Sequence, residues 1–232
     1  MIRKLPVTLG LVAALLGAVS LLPLSTRDAS AAELIRPQLG QPIAHVIQRR
    51  AKTLATHPAL HRSLNSGSLV FIDDVVTTDR NGYLGLELIA GGELRIGPNT
   101  RLKITSVTSD IRYPKAIHLE LEEGGSVRYI PAEIQHETFP PYRISIKSPA
   151  GTVTGSNSDF WIGWMDESYT VLLNHGEVEI ATLAGAVTIT EPDEGVKLRD
   201  IALLPPKPVR LRDRQLERIE ATTVPRDDKP YY

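Results

Sequence analysis

The stretch "SPAGTVTGSNSDFWIGW", residues 148–164, decides how the chain is read. It sets serines, threonines and an aspartate around glycines and two tryptophans, which suits either a hydrolase loop or a corner between strands. Ser156, Ser158 and Asp159, with His175, supply the residue types of a nucleophile, an orienting acid and a base. "GSNSDF" nevertheless lacks the Gly-x-Ser-x-Gly spacing of a strand-to-helix nucleophile elbow, and Ser and Asn bonding local backbone are ordinary turn chemistry. Asn157 tolerates left-handed backbone, as a corner requires. Phe160, Ile162 and Trp164 then alternate, which buries one face of the following strand and turns Trp161 to the other. The stretch reads as a structural corner.

The same period of two extends outward, from Leu69 to about Leu204. Leu84, Leu86 and Leu88 alternate, as do Leu102 and Ile104, Ile144 and Ile146, and Val178 and Ile180; each set marks a strand with one buried face. Roughly ten to twelve short strands are expected. "LELIAGGELRI" (86–96), "LELEEGGSVRY" (119–129), "VLLNHGEVEI" (171–180) and "ATLAGAVTI" (181–189) share one layout of apolar strand, glycine corner and apolar strand. Gly92, Gly125 and Gly176, with Asn157, are the structural turn residues of this scheme. Their intervals are irregular, which excludes a strict repeat. The pattern therefore predicts an all-β fold, an irregular β-solenoid-like stack of short strands or, alternatively, a β-sandwich.

Either side of this region the character changes. Residues 1–31 have Arg3 and Lys4 in front, an apolar run from Leu5 to Leu24 and the ending Ala29-Ser30-Ala31, the layout of a secretory signal peptide. The run also approaches the roughly 20 residues of a membrane span, so retention as an anchor is the alternative. In residues 32–66, Ile43, Val46, Ile47 and Leu54 fall near a 3.6 spacing opposite Arg49, Arg50 and Lys52, and an N-terminal helical cap is expected there. Residues 205–232 form a Pro-rich and charged tail in which 211–221 suits a short helix.

The 26 basic and 27 acidic residues leave a net charge of −1, and the loss of residues 1–31 moves it to −3. Such a balance offers no bulk attraction to nucleic acid. There is no cysteine, so core burial and backbone pairing replace disulfides and a lipoprotein anchor is excluded.

The order of the corners resembles the FecR domain family. The resemblance rests on "DDVVTTDRNGYLGLELIAGGELRIGPNTRLKI", "LELEEGGSVRY", "ISIKSPAGTVTGSNSDFWI" and "YTVLLNHGEVEIATLAGAVTITEPDEGVKL". It is carried by Asp74, Val76, Thr78, Gly92, Gly97, Asn99, Gly124, Gly125, Ser148, Pro149, Phe160, Val171, Gly176, Val178 and Gly195, over residues 67–200, and it defines a β domain at 67–204. Asn157 and Ser158 stand where the family has a Gly-Thr pair. The resemblance implies a non-enzymatic, exported domain of the periplasm or cell envelope that binds another protein or relays its state, without a cofactor.

Several sharper patterns weigh less. Glu120 and Glu122 share one strand face opposite Leu119 and Leu121 and, with the outward Trp161, are the candidate partner-binding residues. A polysaccharide-binding or modifying activity would need Glu87, Glu93, Glu120, Glu122 and Trp161 to converge on one groove. His57 and His61 have an i, i+4 spacing, but Pro58 lies between them and no third ligand is near. Asp73, Asp74, Asp193 and Glu194 lack the spacing of a calcium loop. The expected partner is an envelope or outer-membrane protein, not nucleic acid, and a membrane only if residues 5–24 are retained.

Overall fold

The computed structural model describes residues 39–58, 60–109, 114–122, 124–132 and 143–223. The expected signal peptide and the end of the tail lie outside the described residues. The strands in chain order are β1 (Pro42–Arg50), β2 (Thr53–His57), β3 (Leu60–Ser63), β4 (Leu69–Phe71), β5 (Val75–Thr78) and β6 (Tyr83–Leu88). There follow β7 (Glu93–Ile96), β8 (Arg101–Ser109), β9 (Pro114–Leu121), β10 (Ser126–Ile130), β11 (Arg143–Ser148) and β12 (Gly151–Ser156). The last are β13 (Asp159–Met165), β14 (Ser168–His175), β15 (Val178–Ala181), β16 (Ala186–Ile189), β17 (Glu194–Leu198) and β18 (Val209–Arg210), before helix α1 (Asp213–Thr223).

These strands form two nine-stranded sheets. The first runs β4-β1-β6-β7-β10-β13-β14-β17-β18 and the second β3-β2-β5-β8-β9-β11-β12-β15-β16. From β5 onward the chain lays one or two strands in one sheet, crosses to the other, and advances along the stack. Where it lays a hairpin the neighbours are antiparallel. Between β9 and β11 it places the single strand β10 in the opposite sheet and returns, and that pair is parallel. One coil-like turn is thus set in an otherwise antiparallel two-layer arrangement.

Alternation explains why the layers hold together. Leu84, Leu94, Val127, Phe160 and Val171 of the first sheet and Val76, Leu102, Ile117, Ile146 and Ile180 of the second all belong to one buried cluster. Each fully buried aliphatic side chain of this sort contributes about 1.5–3 kcal/mol relative to exposure, so the continuous core substitutes for absent disulfides. Trp164 departs from its expected inward place and is 52% exposed, because β13 carries it to the strand end, where it meets Tyr169 edge to face at 5.2 Å.

Among the described residues of 32–66 the expected N-terminal helical cap is replaced by the strands β1, β2 and β3. The cause is a pair of register shifts in β1, between Pro42 and Ala44 and between Val46 and Gln48. A bulge adds a residue to one strand and breaks its alternation, so Ile43, Ala44 and Val46 are all buried at a spacing that imitates a helix. His57 and His61 consequently lie on neighbouring strands rather than on one helical face. At the other end the expected charged helix exists as α1, two residues later than the sequence suggested.

Candidate functional site

The corner that opened the sequence reading is locked by backbone bonds. Asn157 has φ 55° and Gly176 has φ 87°, and a Cβ on Gly176 would come within 2.9 Å of both the Asn157 carbonyl oxygen and Ser158 Cα. Ser158 Oγ lies 2.5 Å from the Glu177 carbonyl and accepts the Glu177 N–H at 3.2 Å. Asp159 accepts two bonds from Arg128, at 2.8 and 2.7 Å, and a third from Asn174 at 3.0 Å. Ser158 and Asp159 are therefore engaged in holding the corner. The other two turn residues, Gly92 and Gly125, also have positive φ, 89° and 64°.

Trp161 does point away from the main core, but it is 1% exposed. With Met165 and Leu172 it forms a second, small cluster closed by Leu211 and by Ile219 of α1. Its indole N–H donates to Thr222 Oγ1 at 3.1 Å. The indole needs a bare floor: a Cβ on Gly163 would lie 2.4 Å from Trp161 Cζ2 and 2.6 Å from Ser126 Cβ. The residue expected to meet a partner thus meets the chain's own C-terminal helix.

Glu120 is on β9, in the second sheet, and Glu122 directly follows its last residue; both alternate with the buried Leu119 and Leu121. Glu120 pairs with Lys147 Nζ at 3.0 Å, and Glu122 with Arg101. Trp161 belongs to the outer face of the first sheet, so the three candidate partner-binding residues do not share a surface. Glu93 pairs with Arg95 in the first sheet. The single groove that a polysaccharide site would require is not assembled from these residues.

The acidic residues weighed for calcium are also dispersed. Asp74 is fully buried, bonded to Arg62 and, at 2.8 Å, to the Phe71 N–H. Asp193 pairs with Arg210 at the opposite end of the stack. Among the described residues no cluster of three or more His, Asp or Glu side chains could hold a metal ion.

The surface feature that alternation alone did not single out is the end of the stack beyond β15. There β16 closes the second sheet, and among the described residues no strand pairs with its other side. The turn before it exposes Leu183 to 80%, next to Leu203 and Leu204, themselves 57% and 66% exposed. Two bonds bring these leucines together: Leu183 N–H donates to the Ile201 carbonyl at 2.8 Å, and Thr182 Oγ1 to the Leu203 carbonyl at 2.8 Å. The consecutive leucines of "LLPP" at 203–206, which no alternating strand absorbs, were the available signal.

Among the described residues no helix is long and apolar enough to cross a membrane. No family model and no curated protein matches the chain. Two solved structures of a candidate anti-sigma factor from Parabacteroides distasonis are similar to it at 15% and 12% identity, with TM-scores of 0.43 and 0.42. Each alignment covers 54% of this chain, which spans about half, 55%, of the length of those chains.

Proposed function

We propose that the chain is an exported, non-enzymatic FecR-like module of the bacterial envelope that acts by binding another protein. The observation that carries this reading is the contrast between its surfaces. The outward charges first suspected of a role are paired within the chain, Glu120 with Lys147 and Glu122 with Arg101, while among the described residues no strand pairs with the free side of β16 and its neighbouring leucines are exposed. Open strand edges beside apolar surface are a recurrent means of protein recognition. Export is supported by the arrangement of residues 1–31, and the FecR-like assignment by the ordered corners from Asp74 to Gly195.

The test is site-specific photo-crosslinking in cells, with the crosslinker at position 188 on β16 or at position 120 on the ion-paired face. An adduct with one envelope protein from position 188, and none from position 120, is the expected result. Equal labelling from both positions, or no adduct from either, overturns the reading.

A further inference from the structure

The turn that precedes β16 fixes which of its backbone groups are free. Thr182 N–H donates to the Gly185 carbonyl at 2.8 Å, which makes these two a hydrogen-bonded pair. Antiparallel ladders alternate bonded and non-bonded pairs, so Ile180 with Val187 and Val178 with Ile189 are the next bonded ones. Ala186 and Thr188 consequently aim their N–H and C=O groups at the open side, and both residues are exposed. Free edges are ordinarily blunted by a charge, a proline or a bulge. The sequence Ala186-Val187-Thr188-Ile189 has no charge and no proline, and its pairing with β15 is regular.

The surrounding side chains define what would pair there. On the inner face Ile189 is buried and Val187 half-buried at the margin of the core, so an added strand would set an apolar residue beside Val187. On the outer face Thr188 is the cross-strand neighbour of Glu179. Glu177 and Glu191 flank the same end of the hairpin, and all three glutamates are exposed. Unlike Glu93, Glu120 and Glu122, they form no ion pair among the described residues.

We infer that β16 receives an extended, basic segment of a partner protein, alternating Lys or Arg with β-branched apolar residues, which joins the second sheet as its tenth strand. The basic residues lie over Thr188 and Glu179, the apolar ones beside Val187, and Leu183, Leu203 and Leu204 cover the end of the segment nearest the turn. A second copy of this chain is the poorer occupant, because pairing β16 with β16 brings two rows of unpaired glutamates together. The inference rests on the protein-binding reading and adds the chemistry of the partner.

The experiment uses the full chain after removal of residues 1–31, with two synthetic decapeptides, one alternating Arg and Val and the other Glu and Val. Binding is followed by fluorescence anisotropy, and the bound site by amide shifts at Ala186 and Thr188. The basic peptide is expected to bind about tenfold or more tighter than the acidic one, and to weaken as salt rises. Thr188→Pro removes one outward N–H, and Glu177→Lys with Glu179→Lys reverses the charge; each is expected to weaken the basic peptide by about tenfold. Should the proline variant fail to fold by circular dichroism, the surface charge variant decides. Equal binding of the two peptides, shifts away from β16, or a dimer that excludes the peptide overturns the proposal. A partner crosslinked at position 188 with no peptide preference would defeat the strand chemistry alone, whereas no crosslinked partner would defeat the broader reading.

Discussion

The indole N–H of Trp161 on β13 and the hydroxyl of Thr222 in the last turn of α1 are joined at 3.1 Å, across 61 positions of chain. This bond and the small cluster around it hold the helix against the sheet. Trp161→Ala is expected to destabilise the protein by about 3–5 kcal/mol, as for other buried aromatic truncations. Thr222→Val should cost only about 1 kcal/mol, the net value of one hydrogen bond. Urea denaturation of both variants checks the ratio, and similar losses would mean that packing around the indole is not the dominant contribution.

Gly163→Ala is predicted to loosen the helix without touching it. The new methyl would overlap the Trp161 ring and Ser126, and relief requires the indole to move. A loss of about 1–3 kcal/mol is expected, with a red shift of Trp161 emission measured in a Trp164→Phe background.

The Arg62–Asp74 pair makes a different demand. Asp74 is fully buried and the Arg62 side chain is 17% exposed. Removing the arginine strands a carboxylate in the interior, so Arg62→Ala is expected to cost about 3–5 kcal/mol. Exposed pairs such as Lys147 with Glu120 should cost less than about 1 kcal/mol when broken. Thermal denaturation of Arg62→Ala and Lys147→Ala side by side tests the contrast.

Tyr83 makes the fold sensitive to alkali. Burial pushes its phenol up to about 12, and its hydroxyl lacks a hydrogen-bond partner among the described residues. The unfolded chain releases this proton near pH 10 while the folded chain retains it, so the contribution is fully present below pH 10 and is lost as pH rises towards 12. The loss is roughly 2 kcal/mol. Tyr83→Phe should abolish that part of the alkaline decline and be close to neutral at pH 7, since it removes an unpaired buried hydroxyl.

Asp166 gives the acid counterpart at the surface. The hydrogen bond from Arg218, helped by the charge of Lys197, holds its carboxyl below the usual carboxylate range. Its contribution is present above the ordinary aspartate pKa and disappears as pH falls through the lowered one. Arg218→Ala should return the Asp166 midpoint upward in an NMR titration. An unchanged midpoint would show that Arg218 does not hold α1 to the β13–β14 turn.

Alternation located the core well because a sheet between two layers repeats every two residues: Ile144, Ile146, Phe160 and Ile162, read as inward from spacing alone, are all fully buried. It failed at Ile43 to Val46, where bulges disturb the period, and at Trp164, where the strand outruns the core. The outward direction of Trp161 was legible, but its burial was not, because the covering helix begins some fifty residues later and is recruited by shape. The openness of β16 was hidden for a simpler reason. An unpaired edge is defined by which strands lie beside it, and local spacing carries no record of that.

The advance of the strands along the stack also gives assembly a direction. Beyond β4, each new strand is laid against one already made, so a chain emerging from its N-terminal end need not hold long segments in reserve for later partners. Closure comes late in that order: β16 ends one sheet, and α1, further along the chain, covers Trp161. A chain interrupted before β16 would present β15 as its terminal edge, with the exposed Glu179 already part of that edge, and a tryptophan still waiting for its cover.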